Sequence, residues 1–349
     1  MKKKPFISIT DIAAKAGVSI GTVDRVLHHR GEVSSRTEAK VQSIVAKLGY
    51  RPNIYARNLS LAKIFHFGVL MPLLSQDSGY WRIPVNGIGK AQRELDAYKV
   101  RIRFYHFDRY SESSLKNAWQ RVLRDKLDGL LVAPVLPSVA QYLLPKNDHG
   151  MPVVFFDCEI PGSRCLTSIC QDPDQSGMLA AHLITMMIKT QGTVAVIKVV
   201  PEDYHINKRI RGFQDGINGR QNIQIKVYEV DSHNGEKGFR NLAKRIIREN
   251  RDLRGIFVSN AWTYPFAECV KDLSGKRRIS IVGYDLVTKN IKYLEEGGID
   301  FIISQRPEMQ GYEGIYALYR HVVLRDRVKS RITVPLDILT KENIRYYQN

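Results

Sequence analysis

Cysteine is scarce in this chain: four among 349 residues, at positions 158, 165, 170 and 269. No two form a Cys-x-x-Cys pair and no histidine follows at zinc-finger spacing, so free thiols in a reducing cytoplasm are expected rather than a disulfide or metal site. Nor does any apolar run approach the ~20 residues that cross a bilayer. Met1-Lys2-Lys3-Lys4 leads into Pro5 and a polar helix instead of the apolar stretch of an export signal, so no membrane partner is expected. The motifs of common enzymes are missing too. There is no Gly-x-Gly-x-x-Gly after the first strand, no Gly-Lys-Ser/Thr, no Gly-x-Ser-x-Gly and no His-Glu-x-x-His, and the nine histidines are scattered. Gly87-Ile-Gly89 falls inside a helical pattern. The chain is therefore not expected to be an enzyme, and no cofactor or metal is expected.

Acid is outnumbered: 53 Lys and Arg face 35 Asp and Glu, for a net charge of +18. Residues 1–63 hold 12 of those bases against 4 acids, the densest positive charge in the chain. Such a balance favours a polyanion without choosing one. A length of 349 residues, 44% of them hydrophobic and 25% charged, suits two or three globular domains.

The amino-terminal stretch from Ser8 to Arg30 reads as two short helices around one tight turn. Ser8 can cap the first, whose apolar Ile9, Ile12, Ala13 and Ala16 fall at helical spacing, and Gly17 ends it. Ser19 caps the second, in which Val23, Val26 and Leu27 face inward while Ile20, Gly21, Thr22, Asp24, Arg25 and His28 face out. A third amphipathic stretch, Arg36 to Leu48, completes a three-helix unit, and the pattern after Asn53 can restart as a short helix. A helical hairpin with no nucleic-acid partner has the same periodicity; the third helix and the basic flanks tip the reading toward DNA.

Ile9-Thr10-Asp11-Ile12-Ala13-Ala14-Lys15-Ala16-Gly17-Val18-Ser19 through Leu27, with Val33-Ser34, Leu48-Gly49-Tyr50-Arg51-Pro52-Asn53 and Ala56-Arg57-Asn58-Leu59, closely resembles the headpiece of the LacI family of transcription regulators. It departs at Asp24, usually Ser, and at His28-His29, where Asn is common. The resemblance implies a helix-turn-helix headpiece over 1–52, a hinge helix or linker over 53–63 and a ligand-binding core over 64–349. It implies DNA contacts by Ser19, Ile20, Gly21, Thr22, Arg25, His28, Asn53, Arg57 and Leu59, with Leu59 wedged into the minor groove. It also implies a homodimer on a near-palindromic double-stranded operator.

From Ile64 onward strands and helices alternate. Apolar runs at 64–72, 100–107, 127–132, 152–156, 193–200, 224–230, 255–258, 279–283 and 299–304 are separated by helical stretches, with a long helix over 307–323 and a last extended run over 332–339. The fold class expected is α/β: a small all-α headpiece followed by two doubly wound parallel-sheet lobes. These pieces are similar to the two-lobed periplasmic sugar-binding proteins, which implies one lobe of about 64–160 plus 304–328 and a second of about 161–303 plus 329–349.

Ligands of open α/β sheets lie beyond the carboxyl ends of strands. Tyr80, Trp81, Asp157, Asp172, Arg209, Asn260, Trp262, Asp285 and Gln305 follow strands or open helices there, and carboxylate, amide, guanidinium and aromatic face together suit a polyol. The alternatives stay open at this stage: Asp172 can simply cap its helix, Asp285 can end a strand in a turn, Arg209 can be solvated and Trp262 can be core. The basic excess would suit an anionic ligand, although most of that charge should lie at the surface. The function expected is a repressor controlled by a small sugar-like effector. A periplasmic-type receptor without DNA function and a purine-responsive regulator are the alternatives.

Overall fold

Gly17 sets the shape of the amino-terminal unit, residues Met1–Lys63. The computed structural model describes residues 7, 9–27, 31, 33–48, 63–143, 150–200 and 204–347. Helix α1 (Ile9–Ala16) stops where Gly17 turns left-handed at φ 65°. The amide of Val18 then donates to the Ala13 carbonyl at 3.1 Å and that of Gly17 to Ala14 at 3.3 Å, satisfying two carbonyls that the helix end leaves open. Ser19 caps α2 (Ile20–Leu27) by accepting from the Thr22 amide at 3.1 Å. Ser34 does the same for α3 (Ser35–Leu48) through the Thr37 amide. Ile12, Ala13, Ala16, Val23, Val26 and Val41 form the small core. The Ser8 cap and the short helix expected after Asn53 lie outside the described residues.

The second unit, Ile64–Asn349, is built on two six-stranded sheets. The first takes β1 (Phe65–Pro72), β2 (Val100–Phe107), β3 (Gly129–Val132), β4 (Val153–Phe156), β5 (Thr167–Cys170) and β11 (Arg331–Thr333), in the order β11-β5-β4-β3-β1-β2 and parallel throughout. The second takes β6 (Gly192–Val200), β7 (Ile223–Asp231), β8 (Leu253–Val258), β9 (Ser280–Tyr284), β10 (Phe301–Ser304) and β12 (Asp337–Leu339), ordered β12-β10-β9-β8-β6-β7. In it β12 runs antiparallel, against β10. Helices α4 (Arg82–Leu95), α5 (Glu112–Arg124), α6 (Pro137–Leu143) and α12 (Pro307–Val322) clothe the first sheet. Helices α7 (Pro173–Met187), α8 (Tyr204–Ile217), α9 (Gly235–Glu249), α10 (Tyr264–Leu273) and α11 (Thr288–Glu295) clothe the second. Covered on both faces, strands such as Leu130-Leu131-Val132 and Val153 to Phe156 are buried at every position, as parallel sheets require.

Two features differ from the sequence reading. Strand β5 has no counterpart there, because Thr167-Ser168-Ile169-Cys170 is short and half polar, yet all four residues are buried. The extended run over 332–339 is split by Pro335, which has no amide to give to a ladder, so that β11 pairs with β5 in one sheet and β12 with β10 in the other. The lobe boundaries shift accordingly. Residues 167–170 and 331–333 belong to the first lobe rather than the second, and the chain passes between lobes three times, after β5, after β10 and between β11 and β12.

Each lobe uses the same device to set a helix pair. A Cβ on Gly87 of α4 would lie 1.8 Å from the Glu308 carbonyl oxygen, and one on Gly311 of α12 would lie 2.4 Å from that of Pro84. In the other lobe a Cβ on Gly177 of α7 would lie 1.9 Å from the Arg209 oxygen, and one on Gly212 of α8 would lie 2.0 Å from that of Asp174. Backbones touch at both crossings, and only glycine permits it.

Candidate functional site

The carboxyl ends of β1, β2 and β4 in one lobe face those of β6, β8, β9 and β10 in the other across a cavity of about 40 Å³. Seven of the nine residues picked from sequence line it: Tyr80, Trp81, Asp157, Arg209, Asn260, Asp285 and Gln305. So do Asp77, Arg109 and His205, which the sequence reading missed. An open groove of about 1020 Å³ lies where α4, the start of α11 and the Ser304–Glu308 segment meet, but its Arg82, Asn86 and Lys90 are not buried. The buried polar set belongs to the smaller cavity, which is therefore the candidate site.

The lining groups are bonded to one another across the lobes. The Tyr80 hydroxyl donates to Asp157 Oδ1 at 2.5 Å, and Gln305 Nε2 donates to the Tyr80 oxygen at 3.1 Å and to Asp285 Oδ1 at 3.2 Å. Arg209 is only 1% exposed. Its Nη1 donates to the Ser259 carbonyl at 2.5 Å, its Nη2 reaches Gln305 Oε1 at 3.4 Å, and its guanidinium lies 3.7 Å from the centre of the Tyr284 ring. Asp77 accepts from Trp81 Nε1 at 2.7 Å and from Arg109 Nη1. Gln310 pins the backbone of Asp157, whose amide donates to Gln310 Oε1 at 2.7 Å.

Asp77, Asp157 and Asp285 all hold left-handed backbones, at φ 50°, 72° and 67°. Such angles cost a non-glycine residue of order 1 kcal/mol or more and cluster where side chains must be aimed. Burial pushes the Asp285 carboxyl up to about 7, Asp157 and Asp77 adding to the rise while Arg209 and the Gln305 hydrogen bond oppose it. Burial, then the charge of Asp157, holds the Tyr80 hydroxyl protonated well above its ordinary range. Burial, with Arg209 and Arg109 behind it, pushes the His205 imidazole well below its ordinary value.

Two of the nine sit elsewhere. Asp172 caps α7, its Oδ1 accepting from the Gln175 amide at 3.1 Å. Trp262 stacks on Phe239 at 4.9 Å and packs against the second-lobe core. Asp172→Ala is expected to lower stability by about 1 kcal/mol, the worth of an N-cap, and to leave ligand affinity unchanged. Melting curves and a titration on one preparation check both halves. Of the missed residues, Arg109 follows β2 after one intervening residue and obeys the same strand-end rule. His205 lies one helical turn before Arg209, on the same face of α8.

In the amino-terminal unit, Ser19, Ile20, Gly21 and Arg25 are not buried, and Thr22 is half-buried. Ile20 keeps 52% of its surface in solvent, a large apolar side chain at the head of α2. His28, Asn53, Arg57 and Leu59 lie outside the described residues.

Residues 8–53 match the model of bacterial regulatory proteins of the lacI family, and residues 67–325 match that of the periplasmic binding protein domain. The chain belongs to the lacI family of bacterial regulatory proteins. This lacI-family chain is 39% identical to catabolite control protein A of Streptococcus mutans over 71% of each. It is 24% identical to the ribose operon repressor of Lactococcus lactis over 97% of this chain and 98% of that one. With the ribose operon repressor of Bacillus subtilis it shares 27% over 57% of its own length and 63% of that protein's. A LacI transcriptional regulator from Bacteroides fragilis superposes with a TM-score of 0.76 and 26% identity, over 82% of this chain and all of that one. The Agrobacterium vitis solute-binding protein bound to α-D-tagatopyranose has the same core fold, with a TM-score of 0.71 at 23% identity over 80% of this chain and 96% of that one. Among the described residues of this lacI-family chain, no helix is long and apolar enough to cross a membrane.

Proposed function

We propose that the chain is a repressor, not an enzyme, whose grip on DNA is set by an uncharged sugar held between the two lobes. The observation that carries this reading is the single ring of polar groups at opposed strand ends. Asp157, Asp285, Arg209, Gln305 and Asn260 can donate to and accept from adjacent hydroxyls, and Trp81 and Tyr80 can cover C–H faces. Three carboxylates, those of Asp77, Asp157 and Asp285, meet two guanidinia, and one of these, Arg109, is already bonded to Asp77. That balance is hostile to a phosphate dianion, so the basic excess of the chain does not extend to this site. Names of the relatives agree: two are ribose operon repressors. A receptor without DNA function would leave the lacI-type headpiece unexplained.

At about 40 Å³ the cavity has room for a few waters, each needing ~10–15 Å³, and none for a sugar ring. A sugar therefore enters only as the lobes part, and its differential affinity for open and closed forms biases DNA binding by typically ~1–3 kcal/mol. Two copies on a near-palindromic operator follow from the small reach of one three-helix unit. Thermal-shift screening of the full chain against pentoses, hexoses, their phosphates and purines, followed by fluorescence anisotropy on operator DNA, tests the reading. An unphosphorylated sugar should raise the melting temperature and change operator affinity. Response to a purine alone, or to a sugar with no effect on DNA, overturns it.

On the DNA side, Arg25, open to solvent, offers the paired donors that match guanine. Arg25→Ala is expected to weaken specific binding by ~1–3 kcal/mol, roughly 5- to 150-fold, while binding to random duplex changes little. An equal loss on both duplexes would assign Arg25 to phosphate instead.

A further inference from the structure

Asp157 and Cys158 directly follow β4 in the first lobe, and His205 opens α8 in the second. One ligand atom from each lies within 4.8 Å of those of the other two, and all three residues are buried. Carboxylate, thiol and imidazole in one place make a mixed O, S and N set, the chemistry of a borderline-soft divalent ion. His205 is only 8% exposed, and its Nδ1 is buried with no hydrogen-bond partner in the structure. An imidazole nitrogen in that condition costs free energy unless a ligand takes it.

The geometry points to a zinc-class cation site formed by Asp157, Cys158 and His205, joining the two lobes at the wall of the cavity. Tetrahedral coordination with bonds of ~2.0–2.3 Å spaces its donors ~3.2–3.8 Å apart, so rotamer adjustments of about an ångström close the set. The ion would take the thiolate of Cys158, releasing that proton to solvent, together with the carboxylate of Asp157. Their two negative charges balance the cation. Supporting contacts already exist. Tyr80 donates to Asp157 Oδ1 and Gln310 holds the Asp157 amide, so the carboxylate is oriented from outside the triad. No spacing rule reveals the site, because two donors are sequence neighbours and the third comes 47 positions later from the other lobe.

This inference does not depend on the sugar reading, but Asp157 lines the sugar cavity too, so ion and sugar share a ligand. The test uses full-length protein stripped with EDTA and titrated with Co²⁺. One equivalent per chain should produce sulfur-to-cobalt charge-transfer absorption, and Zn²⁺ should bleach it. Cys158→Ser should remove the band and His205→Gln should weaken binding at least 10-fold, whereas Cys269→Ser, in α10, should leave it intact. Circular dichroism melts verify folding of each variant. Absence of a thiolate band in the wild type at saturating Co²⁺ overturns the proposal, as does its persistence in folded Cys158→Ser. Should Cys158→Ser not fold, an unchanged affinity in His205→Gln does so equally. Sugar-induced melting shifts recorded with and without Zn²⁺ report on the other reading separately.

Discussion

Asp285→Asn is expected to raise the melting temperature of the ligand-free protein at pH 8 while weakening its binding of sugar. The carboxyl is 3% exposed and its pKa stands at about 7, against ~3.9 for an unperturbed aspartate. The folded protein therefore holds this proton more tightly than the unfolded chain does. Below about pH 4 both states carry it and there is no penalty. As pH rises from about 4 through 7 the unfolded chain releases its proton first, and stability falls; above 7 the penalty is constant. A rise of about three units corresponds to ~4 kcal/mol at most, so a gain of ~2–4 kcal/mol is expected at pH 8, several degrees of melting temperature for a domain of this size. Arg209 is not stranded by the change, because it keeps the Ser259 carbonyl, Gln305 Oε1 and the face of the Tyr284 ring. Loss of a charged acceptor should weaken sugar binding by ~1.5–3 kcal/mol, roughly 10- to 150-fold. Melts of both proteins at pH 5.5 and 8, with calorimetric titration of sugar, check the claim. A variant that melts lower than wild type at pH 8 would show that Arg209 outweighs burial.

The second large effect separates two glycines two positions apart in the same helix turn. Gly87→Ala puts a methyl 1.8 Å from the Glu308 carbonyl oxygen and 2.7 Å from its carbon, both backbone atoms of α12. Neither can rotate away, so α4 and α12 must part, at a cost of ~3 kcal/mol or more. At Gly89 the nearest atom is the far end of the Arg93 side chain at 3.6 Å, an ordinary contact. Gly89→Ala should therefore gain up to ~1 kcal/mol from helix propensity. Urea titration of both variants checks the contrast, and equal effects would contradict the close crossing.

That same Gly-Ile-Gly shows what was legible in the chain and what was not. Its failure to follow a strand excluded a phosphate loop at once, but nothing in local periodicity says that Gly87 touches a second helix at Glu308, far along the chain. The alternation of apolar runs and amphipathic stretches carried the two parallel sheets, since buried parallel strands are apolar throughout. Strand β5 escaped because half of it is Thr and Ser, buried by neighbours that only the fold supplies. At the site, the strand-end rule reached Asp157, Arg209, Asp285 and Gln305. It could not tell Asp172, which spends its carboxylate on a helix cap, from a ligand contact. Asp77 was invisible for another reason: it lies five residues past β1, in a turn with left-handed angles at Asp77 and Ser78, and its carboxylate is met by Trp81 one turn on and by Arg109 from beyond β2.

The pairing of β11 with β5 bears on how the molecule is made. Ribosomes deliver β11 (Arg331–Thr333) after every strand of the opposite lobe except β12. Until then the outer rim of β5 presents unsatisfied amides and carbonyls, a template onto which another nascent chain could add. Neither lobe is contiguous along the chain, so a nascent chain that has not yet reached Arg331 should hold a first sheet with one edge still open.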